Sequence, residues 1–182
     1  MNVYSLPKTA EIGGREYRIN TDYRDVLEII QYLNDPQWPE FLRWQIAIGL
    51  FYEEDISGND QQEAMEFLAN FISYGDKTEK PGPKLMDWEQ DSTMIISDIN
   101  KVAGKEVREL PYLHWWTFLS WFRGIGEGQL STVVSIRKKK LTGKKLEKWE
   151  EEFYRENREI IDFRKEQTPE DKAMQEYFAK WL

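Results

Sequence analysis

The chain has 182 residues, of which 40% are hydrophobic and 14% aromatic, so it carries enough large apolar side chains to build a core, which argues against global disorder. It contains no cysteine, which excludes disulfide bonds, thiol nucleophiles, cysteine-bound zinc and iron–sulfur clusters. No apolar run approaches the ~20 residues needed to span a bilayer, so we expect a soluble intracellular protein. The length of the chain is typical of a single domain, residues 1–182.

The net charge of −8 is unevenly distributed along the chain. Residues 1–100 hold 8 Lys and Arg against 19 Asp and Glu, a balance of −11, whereas residues 101–182 hold 17 against 14, a balance of +3. The segment from Arg137 to Lys148 holds seven basic residues and one acidic residue. An acidic body with a local basic segment predicts electrostatically guided protein contacts and argues against a broad nucleic-acid surface.

The first half of the chain is predicted to be a β-hairpin followed by helices. Within residues 1–20, two short alternating segments flank Gly13-Gly14, a pair suited to a two-residue hairpin turn. Residues 21–74 are predicted to be helical. Apolar residues between Tyr23 and Leu33 recur at the spacing of one helix face, and the stretch from Phe41 to Phe51 is apolar almost all round, which predicts a buried central helix.

Residues 75–84, with two Gly and two Pro, are predicted to form a loop or hinge. Residues 85–182 are predicted to be helical again, including a long charged helix over 144–163 and a last helix opened by Thr168-Pro169. The predicted fold is therefore mainly α, a single-domain bundle of about seven helices with a small N-terminal β-hairpin.

Three features of the sequence are candidates for a catalytic or metal site. His114 is the only histidine and sits among tryptophans, which favours a structural role over catalysis. Asp87, Asp91 and Asp98 fall roughly on one helix side, where they could hold a divalent ion, but acids in a helix's first turn are the simpler interpretation. The segment 124–128 lacks the residues of a phosphate loop and indicates a helix break. We expect no enzymatic activity, cofactor or metal.

Two features are candidates for partner binding. Trp115 and Trp116 cannot both face the same core, because adjacent helical side chains point about 100° apart, so this cluster is either a second core layer or a partner surface. The basic run 137–140 is either a solvated helix end neutralised by the glutamates at 150–152 or a docking site for an acidic partner or, less favoured, for nucleic acid. The predicted partner-binding residues are Trp115, Trp116, Trp121, Arg137, Lys138, Lys139 and Lys140.

Several segments of the second half resemble one known family. They are Leu85-Met86-Asp87-Trp88-Glu89-Gln90-Asp91, the segment 95–104, Tyr112-Leu113-His114-Trp115-Trp116-Thr117-Phe118-Leu119, and parts of 135–155. This pattern is similar to the bacteriophage "gene product 15" family of tailed phages and prophages of Gram-positive bacteria. The resemblance covers most of the chain and is densest from about residue 85 to 163.

The resemblance implies a role in tail morphogenesis, in the cytoplasm of the infected or lysogenic bacterial host. Such proteins are typically encoded just before the tape-measure protein, the position of tail assembly chaperones, which keep that long helical protein soluble until tube subunits polymerise around it. The implied partner is the tape-measure or tail-tube protein, with self-association as a further possibility and no role at a membrane. The competing hypothesis is a phage inhibitor of a host defence enzyme, such as a Cas nuclease, which the acidic first half would suit.

Overall fold

A computed structural model describes residues 4–75 and 82–164, and within them the protein is mainly helical with one two-stranded antiparallel sheet. The predicted fold class, a helical protein with a small N-terminal hairpin, is confirmed. The elements are β1 Thr9–Ile12, β2 Arg15–Arg18, α1 Tyr23–Asn34, α2 Glu40–Phe51, α3 Gln61–Ile72, α4 Ser92–Ala103, α5 Trp115–Arg123, α6 Gln129–Leu141, α7 Lys148–Glu156 and α8 Arg158–Ile161.

The chain groups into two compact units, which are unit 1, Met1–Ser131, and unit 2, Thr132–Leu182. Unit 1 holds 12 Lys and Arg against 22 Asp and Glu, a balance of −10, and unit 2 holds 13 against 11, a balance of +2. The predicted hinge over 75–84 lies mostly outside the described residues, as does the predicted last helix over 168–182. The expectation of a single domain stays a prediction.

The hairpin forms where the sequence predicts it. Gly13 and Gly14 both have positive φ, +59° and +73°, the backbone that a tight hairpin turn requires and that glycine adopts without steric cost. The ladder pairs Ala10 with Tyr17, and both side chains are buried, so one face of the hairpin contributes to the core of unit 1. The backbone N–H of Gly13 also donates to Oε2 of Glu63 at 2.9 Å, which attaches the turn to α3.

The helices of unit 1 pack as α1 on α2 and α5, α2 on α3, and α4 on α5. Asp22 begins α1, since its Oδ1 accepts the N–H of Arg24 at 3.0 Å while its Oδ2 accepts the N–H of Leu113 at 2.9 Å. This one carboxylate therefore joins the start of α1 to the segment before α5. The rings of Tyr23 and Phe118 stack with centroids 4.5 Å apart and continue the same contact into the core.

The prediction that 41–51 forms a buried central helix is wrong. The helix forms as α2, but only Ala47, Ile48 and Phe51 are buried, and Phe41 is 70% exposed. α2 packs on α1 and α3, and an apolar residue that these neighbours do not cover stays at the surface whatever its type.

The prediction of one long helix over 144–163 is also wrong, because the chain breaks at Asn157 between α7 and α8. The backbone of Asn157 leaves the helical region, with φ −124° and ψ 30°, and its side-chain amide donates to the carbonyl of Phe153 at 2.9 Å. An asparagine side chain that bonds to the local backbone in this way competes with helix continuation.

Candidate functional site

Trp115 and Trp116, two of the predicted partner-binding residues, lie in the core of unit 1, with exposed fractions of 1% and 2%. The indole N–H of Trp115 donates to the carbonyl of Ile72 at 3.0 Å, and that of Trp116 donates to the carbonyl of Phe71 at 3.0 Å. Both carbonyls belong to the last turn of α3, where a helix leaves acceptors without intrahelical partners. The two indoles therefore close the end of α3 and do not form a surface for a partner.

Both tryptophans can be buried because each meets a different wall of the core. Trp115 packs against Trp88 and Phe118, with ring centroids 5.8 and 5.7 Å away. Trp116 packs against Phe71 and Tyr74, at 5.6 and 4.6 Å. Two layers of aromatic rings thus accommodate the angle of roughly 100° between these adjacent helical side chains. A second core layer was one of the two alternatives that the sequence left open, and a partner surface was the other.

Trp121 is half-buried on α5, and the ammonium of Lys105 lies 6.0 Å from its ring centroid. Of the three tryptophans predicted to bind a partner, it is the accessible one, and its role in binding stays a prediction.

His114 is a buried N-cap of α5. Its Nδ1 accepts the backbone N–H of Trp116 at 3.0 Å, and its Nε2 lies 2.9 Å from the carbonyl oxygen of Pro7. An acceptor at Nδ1 places the proton on Nε2, which donates to Pro7, so both ring nitrogens of the neutral imidazole are used. Burial lowers the pKa of His114. This geometry is the structural role that the sequence favoured for the histidine.

Arg137, the first residue of the predicted basic strip, is 5% exposed in unit 2. Its Nε donates to the carbonyl of Ile161 at 2.6 Å, its Nη2 donates to the carbonyl of Ile160 at 2.8 Å, and its guanidinium carbon lies 4.2 Å from the ring centroid of Phe163. The guanidinium therefore closes the C-terminus of α8, and the structure does not present it to a partner.

Lys139 and Lys140 also hold unit 2 together. Nζ of Lys139 lies 2.7 Å from both carboxylate oxygens of Glu150, which is 2% exposed, and this pairing lowers the pKa of that glutamate. Nζ of Lys140 pairs with Asp162 and lies 3.6 Å from the ring centroid of Tyr154. Three of the four residues predicted to dock a partner are thus engaged inside unit 2, and Lys138 is the fourth.

Lys138 belongs to an exposed surface that lies largely within the basic segment Arg137 to Lys148, which the sequence indicated as a site of protein contacts. Four exposed lysines and two exposed apolar side chains lie close along the chain where α6 ends and α7 begins, and Leu141 and Trp149 are 59% and 54% exposed. None of these lysine side chains makes an ion pair or hydrogen bond within the described residues. We name this set the lysine surface. It consists of Lys138, Leu141, Lys144, Lys145, Lys148 and Trp149.

A second surface, which sequence reasoning missed, lies on α2. Leu42, Ile46 and Gly49 follow one another at i, i+4 and i+7 on the side opposite the buried residues, and Phe41 projects about 100° away from Leu42, on the flank that also holds Ile48. Phe41 and Gly49 are exposed and the other two are half-buried, and the arc of α2 from Phe41 round to Ile46 holds no charged residue. We name these four residues the α2 face. The sequence signal is the low amphipathicity of the segment, which is equally compatible with complete burial.

The acids weighed as a metal site have structural partners. Oδ1 of Asp87 accepts the N–H groups of Glu89 and Gln90, while Oδ2 of Asp91 accepts the N–H of Asp87 at 2.9 Å. Asp98, 3% exposed, pairs with Lys101 at 2.6 Å and accepts the N–H of Leu130 at 3.3 Å. Among the described residues, no group of three or more His, Asp or Glu is placed to hold a metal ion.

The described residues define a small helical protein with exposed apolar side chains on an uncharged part of α2 and beside unpaired lysines, an arrangement suited to binding macromolecules. The family model described as "Bacteriophage Gp15 protein" matches residues 3–163, and the chain belongs to this family of phage proteins. No curated protein and no solved structure matches the chain. No helix in the described part of the chain is both long and apolar enough to cross a membrane.

Proposed function

We propose that this phage protein is a non-catalytic tail assembly chaperone that binds the tape-measure protein through the α2 face. The observation that carries the proposal is the exposure of Phe41, 70%, on a side of α2 that holds no charge. A long helical protein that awaits assembly exposes apolar stripes, and an uncharged apolar helix face covers such a stripe without burying an unpaired charge.

The α2 face has features that favour a helical partner. Gly49 is exposed, and a Cβ built on it would meet nothing within 4 Å, so the C-terminal end of the face is open. Small residues on a helix surface let a second backbone approach closely, while Phe41 supplies an aromatic anchor of the kind enriched at interface centres. Trp38, 43% exposed, precedes α2 and adds a second aromatic side chain near its start.

The test is co-expression with fragments of the tape-measure protein encoded by the same phage. We expect a soluble complex with the unaltered chain and its loss with Phe41→Ser. Val102→Ser is the matched control, because Val102 is also an exposed apolar residue on a helix, 42% exposed, and lies outside the α2 face. If the fragments stay insoluble, or if both variants behave like the unaltered protein, the proposal is wrong.

A second candidate, inhibition of a host nuclease, is favoured by one observation, the balance of −10 in unit 1. Carboxylates at this density can compete with a nucleic acid for a basic channel. Addition of the protein to a Cas nuclease assay distinguishes the two functions. Stoichiometric loss of DNA cleavage supports the inhibitor function, and unchanged cleavage excludes it.

A further inference from the structure

The lysine surface combines two exposed apolar side chains with four lysines. Leu141 and Trp149 expose more than half of their surface, and the four lysines around them along the chain have no counter-ion within the described residues. The indole N–H of Trp149 donates to Oε2 of Glu147 at 3.0 Å, which orients the ring. Large apolar side chains surrounded by charges that can pair with a partner are the usual anatomy of a protein–protein contact.

Helix stability explains only part of this surface. Lys138 lies in the last turn of α6, and Lys144 and Lys145 follow it, so their charges favour the negative end of the helix dipole. Lys148 is the first residue of α7, where the same dipole disfavours a positive charge. The dipole also gives no reason for Leu141 and Trp149 to remain exposed. The surface therefore contains features that a role inside unit 2 does not require.

A complementary acidic feature lies on the outward face of the hairpin in unit 1. Glu11 and Glu16 are directly opposite each other in the ladder and both are exposed. The neighbouring arginines do not neutralise them, because Arg15 pairs with Glu54 and Nε of Arg18 lies 3.0 Å from Glu53. Like charges directly opposite across a strand pair are destabilising, and a cationic group placed between them removes this cost.

We propose that the lysine surface binds the acidic hairpin face of a second copy of this chain. Charge complementarity selects this occupant, since the outward hairpin face presents the opposed carboxylates of Glu11 and Glu16 while the lysine surface offers four unpaired cations. The contact is between two different surfaces, so one copy can donate its lysine surface and accept another at its hairpin. Nucleic acid is the competing occupant, and the test includes it.

The experiment is sedimentation velocity of the full-length protein over a range of concentrations at low and high salt. We expect reversible association at about 50 mM salt that weakens steeply towards about 500 mM, because the charges lie at the surface. Lys144→Glu with Lys145→Glu is expected to weaken association at least about tenfold, and Glu11→Lys with Glu16→Lys to do the same. Mixing these two charge-reversed proteins is expected to restore association, because each then presents the surface that the other lacks.

Matched controls carry the same changes in charge elsewhere. Lys105→Glu with Arg123→Glu, and Glu28→Lys with Glu89→Lys, alter exposed residues outside both surfaces and are expected to leave association unchanged. The proposal is overturned if the unaltered protein stays monomeric at low salt, if the controls weaken association as much as the test variants, or if the mixture stays dissociated. Binding of a labelled DNA or RNA oligonucleotide that Lys144→Glu with Lys145→Glu abolishes, without any self-association, would assign the lysine surface to nucleic acid instead.

Discussion

Nδ1 of His114 accepts the backbone N–H of Trp116 at 3.0 Å in the core of unit 1. The same ring donates from Nε2 to Pro7, so the imidazole joins the N-terminal segment to the start of α5. Protonation at Nδ1 would replace the acceptor by a donor that faces another N–H group, and it would place a charge among aromatic rings. Only the neutral imidazole fits this site.

The first prediction concerns the pH dependence of stability. Since burial lowers the pKa of His114 below its ordinary value of 6.5, the unfolded chain binds the proton more readily than the folded chain. The contribution of the neutral ring is therefore complete above about pH 6.5 and is lost as the pH falls from there through the folded-state pKa, by at most about 1.4 kcal/mol per pH unit. Chemical denaturation between pH 8 and pH 5 measures this decline.

His114→Asn provides the control for that prediction, because asparagine is a good N-cap but does not titrate. We expect the variant to be less stable than the original at pH 8, by about 1 kcal/mol for the lost bond to Pro7. Its stability should also fall less between pH 6.5 and pH 5. An equally steep decline in the variant would mean that other groups carry the pH dependence.

The second prediction concerns the tandem tryptophans. Trp115→Phe removes the indole that donates to Ile72 and leaves a space beside Trp88 and Phe118, so we expect a loss of about 2–4 kcal/mol in the free energy of unfolding. Trp121→Phe, the control on the same helix, removes a half-buried ring and should cost less than about 1 kcal/mol. Urea denaturation of both variants measures the two losses in the free energy of unfolding. Similar costs would contradict the burial of Trp115.

Local patterns in the sequence predict the hairpin and α1 correctly, because Gly13-Gly14 and the spacing from Tyr23 onwards act over a few residues. The burial of Trp115 could not be predicted in this way, since it depends on Ile72, which is 43 residues distant in sequence. The same limit applies to Arg137, whose acceptors lie 23 and 24 residues further along. A run of basic residues predicts an exposed surface, and only the tertiary structure shows that the side chain of Arg137 donates to carbonyl groups of α8.

The α2 face shows a different limit. An all-apolar helix is compatible either with complete burial or with an exposed binding face, and the periodicity of the sequence does not separate the two. The number of neighbours around the helix determines whether its apolar residues are buried or exposed, and that number is a property of the tertiary arrangement. The basic segment 137–148 was predicted as a whole, but the sequence does not reveal which of its lysines already have partners.

The third prediction tests the glycine segment between α5 and α6. A Cβ built on Gly128 would lie 2.7 Å from Oδ2 of the buried Asp98, so Gly128→Ala must displace a carboxylate that holds Lys101 and the start of α6. We expect a loss of about 1–3 kcal/mol. Gly126→Ala is the matched control, because nothing lies within 4 Å of its built Cβ and its φ is not positive, and it should be neutral or slightly stabilising. Equal effects in thermal unfolding would contradict the close approach of Asp98.

The last prediction concerns the pair formed by Lys139 and Glu150 in unit 2. Lys139→Met leaves a buried carboxylate without its cation, which should cost about 2–3 kcal/mol, somewhat less than for a fully buried pair because the lysine side chain is 28% exposed. Replacing both residues by Met removes the unpaired charge, so the double variant should be more stable than Lys139→Met alone. Hydrogen exchange of the α7 amides, compared with Lys138→Met as the solvent-facing control, measures the difference. If the double variant is the less stable, the charge of Glu150 is held by its bond to the N–H of Glu147 and not by Lys139.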